Sequence, residues 1–403
     1  MMGAPDSAVT PVRLPWTADA APRDYATLRA RYGPIGFDAE LDAWLVLGYD
    51  AARTVLSGRG WTSDPMAAVA NRHALAAIGL AEPPLARTML LLDGDDHVRQ
   101  RGSVRDVFTP HYVAQLAAGI EVIADDILDP IPAGTVVDLM TEVAQPFPIA
   151  VIAEWLGLDL PTARVLWAEA AAIAPALDGL ADVDAAPAAA SAFTALIGEF
   201  LPLAAGRRAE PQDDLLSLLA VDPRLDLDEV VVNAILLAVA GHETTANLLG
   251  GAVSRLLDDT GGTRLVDGVD VDDPAVVDEV LRLDGPAQAV FRVATQRHEI
   301  AGHAVEPGER AVVVIAAANR DPDIFDDPDR FRIDRDQRLP NLAFGHGPHR
   351  CLGAALARLE VQIMLRALIL RDPELAGTAV VRDTAILRGF DEVPILFRKG
   401  QPS

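Results

Sequence analysis

The chain carries long segments in which apolar residues recur every three or four positions, separated by proline and glycine turns. This period is typical of helices with one buried face. Runs with a strand pattern are few and short: Trp44 to Leu47, Ala311 to Ile315 and Pro394 to Phe397. The pattern predicts a mainly α fold with a smaller β-rich edge. Because no repeat, charge run or Ser/Gly linker marks a boundary, we expect a single domain over residues 1–403.

The longest helical segment runs from Leu227 to Asp258 and would extend about 48 Å at ~1.5 Å per residue. Its uncharged run stops at His242-Glu243 after about a dozen residues, short of the ~18 that a bilayer requires, so we predict a buried central helix. Its middle is unusual because Ala240-Gly241-His242-Glu243-Thr244-Thr245 places small, acidic and hydroxyl residues where an interior helix normally carries Leu or Ile. A threonine hydroxyl can bond back to the helix and loosen a turn, which then admits water or a small ligand. Taken alone, the segment is better explained as a Gly/Thr kink without chemistry.

An alanine-rich stretch between Ala170 and Ala192 is interrupted by Pro, Gly and Asp. Such a composition is suited to a mobile helix–loop–helix rather than to a rigid core. We expect two helices that flank a loop in this region.

Composition narrows the classes of function. One cysteine excludes a disulfide framework, a four-thiolate zinc site and a protein-ligated iron–sulfur cluster, each of which needs several sulfurs. The formal charge of −25 repels phosphate backbones and anionic lipid, so we expect neither a nucleic-acid partner nor a membrane partner. The N-terminus has no basic region followed by an apolar one, and we therefore expect a cytoplasmic protein in a reducing compartment.

The single cysteine, Cys351, lies in the segment AFGHGPHRCLG, between a glycine-rich loop and an apolar helical pattern that begins at Leu352. A lone cysteine is most simply a small buried hydrophobe. Here the free N–H groups and the positive end of the following helix favour a thiolate over a thiol. Such a thiolate can act as a nucleophile or as a metal ligand.

Four motifs together resemble the bacterial form of the cytochrome P450 family. They are Phe344-x-x-Gly347-x-His349-x-Cys351-x-Gly353, Ala240-Gly241-x-Glu243-Thr244-Thr245, Glu279-x-x-Arg282 and His97-x-x-x-Arg101, and they occur in the family's order along most of the chain. The resemblance implies the cytochrome P450 fold, with the long central helix over haem b. It also implies that the Cys351 thiolate is the axial ligand of the haem iron and that O2 is a co-substrate.

The resemblance assigns site residues as well. The implied cofactor-binding residues are His97, Arg101, Ala240, Arg292, Phe344, Gly345, His349, Cys351 and Gly353. Glu243 is implied to relay protons through water, and Thr244 to donate and accept hydrogen bonds where dioxygen reacts. Glu279 and Arg282, alone a weak surface pair, become with Arg330 a buried structural triad that retains haem. Asn341 and His242 depart from the common pattern of bacterial relatives.

The implied reaction is a monooxygenation: one oxygen atom from O2 enters a hydrophobic small molecule by hydroxylation or epoxidation. The expected pocket residues, which are mostly apolar, are Leu236, Ala240, Ala289, Val290 and Phe390. They favour a neutral substrate of secondary-metabolite or xenobiotic type. Oxidative coupling, peroxide-driven oxidation and a haem-binding sensor without turnover are the alternatives, although the acid–alcohol pair argues against the peroxide-driven enzyme.

No flavin-binding or ferredoxin-like extension is visible, so electrons are expected from NAD(P)H through a ferredoxin reductase and a ferredoxin. An acidic ferredoxin would need a basic docking patch on this acidic protein. The candidates beside Cys351 and beside the His97 motif are Arg99, Arg105, His349, Arg350 and Arg358. A monomer is expected.

Overall fold

The computed structural model describes residues 22–173, 185–259, 261–335, 340–384 and 386–400. Helix dominates these ranges, which confirms the predicted fold class. The helices are α1 Pro22–Tyr32, α2 Tyr49–Leu56, α3 Val69–Ala77, α4 Gly94–Gly102, α5 Pro110–Val113, α6 Ala117–Leu128, α7 Pro146–Leu156, α8 Leu160–Ile173, α9 Ala186–Ala209, α10 Leu215–Val221, α11 Leu227–Leu257, α12 Pro274–Asp284, α13 Ile315–Ala318 and α14 Ala354–Ile369.

Helix α11 is the predicted central helix, and it ends one residue before the expected Asp258. It begins with a capping box, because the Asp226 side chain accepts from the Glu229 N–H and the Glu229 side chain accepts from the Asp226 N–H. These bonds satisfy N–H groups that a helix start otherwise leaves free. Helices α7, α8, α9, α12 and α14 pack around α11. Its apolar side chains therefore belong to the largest hydrophobic cluster of the protein.

The β-rich part consists of short strands in small sheets. The strands are β1 Ile35–Asp38, β2 Ala43–Val46, β3 Trp61–Thr62, β4 Val136–Asp138, β5 Val290–Ala294, β6 His298–Ile300, β7 His303–Val305, β8 Arg310–Val313, β9 Pro373–Leu375, β10 Val380–Val381, β11 Phe390–Glu392 and β12 Pro394–Phe397. The largest sheet has the order β1-β2-β8-β5-β3, with β2 and β8 parallel. All three predicted strands are confirmed. β12 has the predicted bounds, β2 is shifted by one residue, and β8 begins one residue and ends two residues before the predicted bounds.

Strand β2 shows why its apolar run is continuous rather than alternating. Trp44 and Val46 face one hydrophobic cluster, whereas Ala43 and Leu45 face another on the opposite side of the sheet. Successive side chains of a strand point to opposite faces, so a strand covered on both faces needs apolar residues throughout.

Helices α8 and α9 flank the alanine-rich stretch, as expected, while residues 174–184, where the loop is predicted, lie outside the described residues. The described residues contain one helix, α9, that by length and composition is long and apolar enough to cross a membrane. Only 33% of that apolar window is buried, although α9 packs against α8, α10 and α11.

Candidate active site

The loop before α14 holds Cys351 in a tightly bonded turn. The Cys351 N–H donates to Phe344 O over 2.8 Å, and the Gly345 N–H donates to Leu342 O over 2.8 Å. Gly345 and Gly347 have φ of 69° and 74°, a region that favours glycine. A Cβ on Gly347 would also come within 2.3 Å of Leu56 O, so only glycine fits there.

The Cys351 side chain is open to solvent on one side, yet protein atoms surround it closely on the others. This burial raises the pKa of the thiol, although the Gly353 N–H and the guanidinium groups of Arg101, Arg350 and Arg358 oppose the effect. The backbone N–H and the positive charges thus act in the predicted direction, but by themselves they do not offset the burial of the thiol. α14 begins only at Ala354, and the positive charge of a bound metal ion is what would complete the stabilisation of the thiolate.

His97, on α4, carries an unsatisfied polar atom. Its side chain is buried, and Nε2 has no hydrogen-bond partner among the described residues. Burial, with the nearby His349 and Arg101, lowers the pKa of His97 to about 4, so the ring is neutral at pH 7. A buried ring nitrogen without a partner is costly, which indicates that a polar group of a ligand faces it.

His349 lies against His97, with 4.2 Å between the ring centroids. Its Nε2 is 2.8 Å from Asp93 Oδ1. Burial alone would raise the pKa of Asp93, but the hydrogen bonds from His349, Thr62 and the Ser63 N–H lower it to about 2. Asp93 thus fixes the orientation of the His349 ring through Nε2.

Two guanidinium groups in this region have no carboxylate partner within the described part of the chain. Arg101 donates to Arg350 O, and Arg292, on β5, donates to Phe291 O over 2.6 Å. Burial lowers the pKa of Arg292 to about 10, partly offset by Asp93. Buried cations normally have anionic partners. Together with the unsatisfied His97 nitrogen, these two arginines fit a cofactor that carries two carboxylates, as haem does.

In the middle of α11, Gly241 borders open space, because a Cβ there would meet no atom within 4 Å. Ala240, one residue earlier, is only partly buried. The Thr244 hydroxyl donates to Ala240 O over 2.7 Å, which leaves its oxygen free to accept. The Thr244 hydroxyl thus bonds back to the helix as expected, beside open space, while α11 continues through this turn without a break.

Glu243 is buried, but it is not free. Its Oε1 accepts from Arg382 and from Asn247 Nδ2, the latter over 3.2 Å. The neighbouring His242 is also buried, and its Nε2 lies 3.1 Å from Gln145 O. Burial lowers the pKa of His242 and keeps the ring neutral, although Glu243 opposes this.

The Glu279–Arg282 pair is buried, with the side chains 5% and 2% exposed. Arg282 donates twice to the Glu279 carboxylate, over 2.7 and 2.8 Å. The prediction that Arg330 is the third member of the triad is wrong. Arg335 takes this place, because its Nε donates to Glu279 Oε1 over 2.9 Å. The exposed Arg330 contributes its backbone carbonyl, which accepts from both Arg282 and Arg335.

The predicted pocket residues separate into two groups. Ala240 and Val290 are partly exposed and can line a cavity. Phe390 cannot, because it is buried with its ring against α11 at Gly250 and Gly251. Ala289 packs in the core between α1 and the large sheet, and Leu236 is nearly fully buried in the main cluster; these two assignments are therefore also not supported.

Sequence reasoning missed Asp93, Arg335 and Arg382. Each lies far along the chain from the residue that it binds, so no local spacing links them. Asn341, by contrast, belongs to the loop itself: its Nδ2 donates to Asp278 O and its Oδ1 accepts from the Ala343 N–H. It ties the loop to α12.

Comparisons with known proteins agree with this geometry. A family model described as "Cytochrome P450" matches residues 274–372. "Cytochrome P450 monooxygenase PikC" of Streptomyces venezuelae is 35% identical over 410 residues, which cover 96% of this chain and 93% of PikC. "6-deoxyerythronolide B hydroxylase" of Saccharopolyspora erythraea is also 35% identical, over 93% of this chain and 95% of that protein.

Among solved structures, Mycobacterium smegmatis CYP164A2 with econazole bound superimposes with a TM-score of 0.84 at 31% sequence identity. The match covers 94% of this chain and 96% of that one. The family implies a haem iron with a thiolate ligand. Cys351 is the only cysteine of the sequence and therefore the only residue that can supply this thiolate. Sequence and architecture thus agree over nearly the whole chain, which belongs to the cytochrome P450 family and is a monooxygenase of the bacterial type.

Proposed function

We propose that this monooxygenase inserts one oxygen atom from O2 into a neutral, hydrophobic small molecule, by hydroxylation or epoxidation. The observation that carries the proposal is the acid–alcohol pair Glu243–Thr244 beside the open space at Gly241. Ala240 and Val290, the two expected pocket residues that are partly exposed, are apolar and favour an uncharged substrate.

Haem, when bound, supplies dioxygen activation and oxidising power. Cys351 would hold its iron, and His97, Arg101 and Arg292 would bind its carboxylates. On the side of Cys351, the surface for the cofactor would consist of the Phe344 ring and the backbone of Gly345 and Gly353. His349 would support this surface. The Phe344 ring is itself held by the Arg358 guanidinium, 4.5 Å from the ring centroid.

Thr244 and Glu243 have different tasks in this scheme. The Thr244 hydroxyl, held at Ala240 O, presents an acceptor to the open space and can turn to donate. Glu243 lies deeper and can carry a proton only as a carboxylic acid. Thr244 would therefore position a hydrogen bond, and Glu243 would supply the protons.

Replacing Thr244 by alanine should leave haem and substrate binding intact and lower the product formed per NAD(P)H consumed several-fold, with H2O2 as the lost fraction. The reason is that the variant lacks the hydroxyl that would hydrogen-bond where dioxygen reacts. The matched controls are Thr244→Ser, which keeps the hydroxyl, and Thr245→Ala at the buried neighbouring threonine. Unchanged coupling in Thr244→Ala would remove Thr244 from the relay.

Substrates can be found by screening neutral hydrophobic compounds for an optical spin-state change of the haem, followed by product analysis with a ferredoxin system. A product that contains one added oxygen supports the proposal. Coupled products without added oxygen would instead support oxidative coupling. Haem binding without NAD(P)H consumption across the screen would support a sensor.

We further propose that an acidic ferredoxin, reduced by its reductase, donates electrons beside the cysteine loop. Three of the expected arginines are already neutralised: Arg99 by Glu229 and Asp96, Arg105 by Asp106, and Arg358 by Asp278. His349 is buried on Asp93 and cannot reach a partner. Arg350 has no carboxylate partner among the described residues.

A groove of about 790 Å³ next to the loop supplies further positive charge. Its lining includes Arg53 and Arg59, neither of which has a carboxylate partner in the described ranges, one acidic residue, Asp50, and His346 and Gly347 of the loop. Burial, with the nearby Arg53 and Arg350, lowers the pKa of His346 and keeps it neutral. We define Arg53, Arg59 and Arg350 as the free arginine cluster.

Charge reversal in the free arginine cluster, as in Arg59→Glu or Arg350→Glu, should raise the apparent KM for an acidic ferredoxin several-fold and weaken its salt dependence. Substrate binding should not change. Arg99→Glu, at a neutralised position, and Arg164→Glu, on α8, serve as controls. Equal reduction rates and salt dependence in all variants would place the docking site elsewhere.

A further inference from the structure

The groove next to the cysteine loop has the size of a ligand site. Its volume of about 790 Å³ lies within the range of small-molecule sites. Apart from Gly347, every residue that lines it carries a polar or charged side chain. The groove is therefore suited to a small polar molecule rather than to the apolar substrate expected at the haem.

Three segments form the walls of the groove: the end of α2, the turn between β5 and β6, and the cysteine loop. Gly60 O accepts from the Thr295 N–H over 2.8 Å and lies 2.9 Å from His298 Nε2, which ties the segment after α2 to the turn between the strands. A Cβ on Gly347 would come within 2.3 Å of Leu56 O, so the cysteine loop touches the end of α2. The walls are therefore fixed by the fold.

The groove is positively charged although the protein is acidic. Arg53 and Arg59 have no carboxylate partner within the described part of the chain, and Asp50 is the one acidic residue of the lining. The Arg53 guanidinium lies 6.0 Å from the Tyr49 ring centroid, a contact that supports it without neutralising it. Exposed charges more than ~8 Å apart are largely screened at physiological ionic strength. A ligand in the groove therefore meets these arginines rather than the net charge of −25.

A phosphate group matches the donors of this groove. Each guanidinium presents N–H groups in a planar fork that can bind two oxygens of one phosphate. Gln296 adds an amide donor, and its side chain lies against Gly60, where a Cβ would come within 2.5 Å of Gln296 Nε2. The His298 ring stacks on Trp61, with 4.6 Å between centroids and 15° between planes. This ring gives the lining a flat surface against which an organic group can pack.

We propose that this groove binds a phosphate-bearing anion, with Arg53 and Arg59 as its principal ligands. The anion has two potential sources, inorganic pyrophosphate and a phosphate ester such as a nucleotide, because their phosphate groups offer the same oxygens. The proposal depends neither on the docking of a ferredoxin nor on the reaction at the haem.

The test is isothermal titration calorimetry of the haem-loaded protein with inorganic pyrophosphate, at constant ionic strength. Arg53→Gln and Arg59→Gln should each weaken binding roughly ten-fold, because each removes a charged hydrogen-bond donor. Asp50→Asn should strengthen binding, because it removes the negative charge from the lining. Arg164→Gln, at an exposed position of α8, is the control and should bind like the intact protein.

A parallel titration with ADP separates the two sources of phosphate. Tighter binding of ADP assigns the groove to phosphate esters, equal or weaker binding assigns it to the free ion, and either result supports a phosphate site. The proposal is overturned if neither probe binds, or if both arginine variants bind as tightly as the intact protein. Each variant should first show the thiolate spectrum with carbon monoxide, so that lost binding is not lost fold.

The effect on electron transfer is measured separately. Because Arg53 and Arg59 also belong to the free arginine cluster, pyrophosphate should raise the apparent KM for an acidic ferredoxin at constant ionic strength. If pyrophosphate binds to the arginines but reduction by the ferredoxin is unaffected, the phosphate site stands and the ferredoxin docks elsewhere.

Discussion

Replacing Cys351 by alanine is expected to abolish both the thiolate spectrum and turnover. The sequence contains no second cysteine, so no other thiolate can serve as the axial ligand. The measurement is the Soret band of the reduced protein after addition of carbon monoxide. In the intact protein this band should lie where thiolate-ligated haem absorbs, and in Cys351→Ala it should move to the position of other ligands or disappear with the haem.

Two controls make this result specific. Far-ultraviolet circular dichroism should show that Cys351→Ala keeps its helices, since the side chain is open on one side and its removal leaves no closed cavity. Arg350→Ala, at the neighbouring exposed position, should retain the thiolate spectrum. A Soret band typical of histidine ligation in the intact protein would contradict the assignment of Cys351.

The largest loss of stability is expected from the buried pair on α12. Arg282→Met should lower the free energy of unfolding by about 3–5 kcal/mol, the usual cost of removing one partner from a buried ion pair. Arg282 also donates to Asn319 O and Pro328 O, and these carbonyls would lose their partner. Denaturant unfolding of the haem-loaded protein, together with its rate of haem loss, measures the effect.

The same experiment tests the corrected third member of the triad. Arg335→Ala should be clearly destabilising, because its Nε reaches Glu279 and it also donates to three backbone carbonyls. Arg330→Ala should stay within about 0.5 kcal/mol of the intact protein, as surface substitutions usually do. Equal losses in the two variants would contradict the assignment of Arg335.

Local sequence signals predicted the elements on which the site is built. The helical pattern predicts a start of α11 at Leu227, where it does begin, and the capping box of Asp226 and Glu229 is also a pattern of nearby residues. The tight loop before α14 follows from Gly345 and Gly347, because glycine tolerates positive φ. In both cases the information lies within a few residues of the structure that it specifies.

The parts that sequence could not predict depend on contacts between distant segments. No sequence pattern near Glu243 predicts its contact with Arg382, which is 139 residues away. Likewise, no pattern near Glu279 shows that its partner is Arg335 rather than Arg330. The burial that opposes the Cys351 thiolate could not be predicted either, because burial is a property of the assembled fold. Whether Arg99 or Arg358 offers a free positive charge to a docking partner also depends on ion pairs that form only in the fold.

The parallel pairing of β2 with β8 has a consequence for the synthesis of the chain. β1 and β2 can form a hairpin early, but the neighbour of β2 on its other edge is made roughly 260 residues later. At ~5–20 residues per second, that edge waits about 10–50 s on the ribosome with unpaired backbone groups. Because β2 is apolar on both faces, the nascent hairpin is an aggregation hazard. The yield of folded protein should therefore depend on chaperones that cover it until β8 emerges.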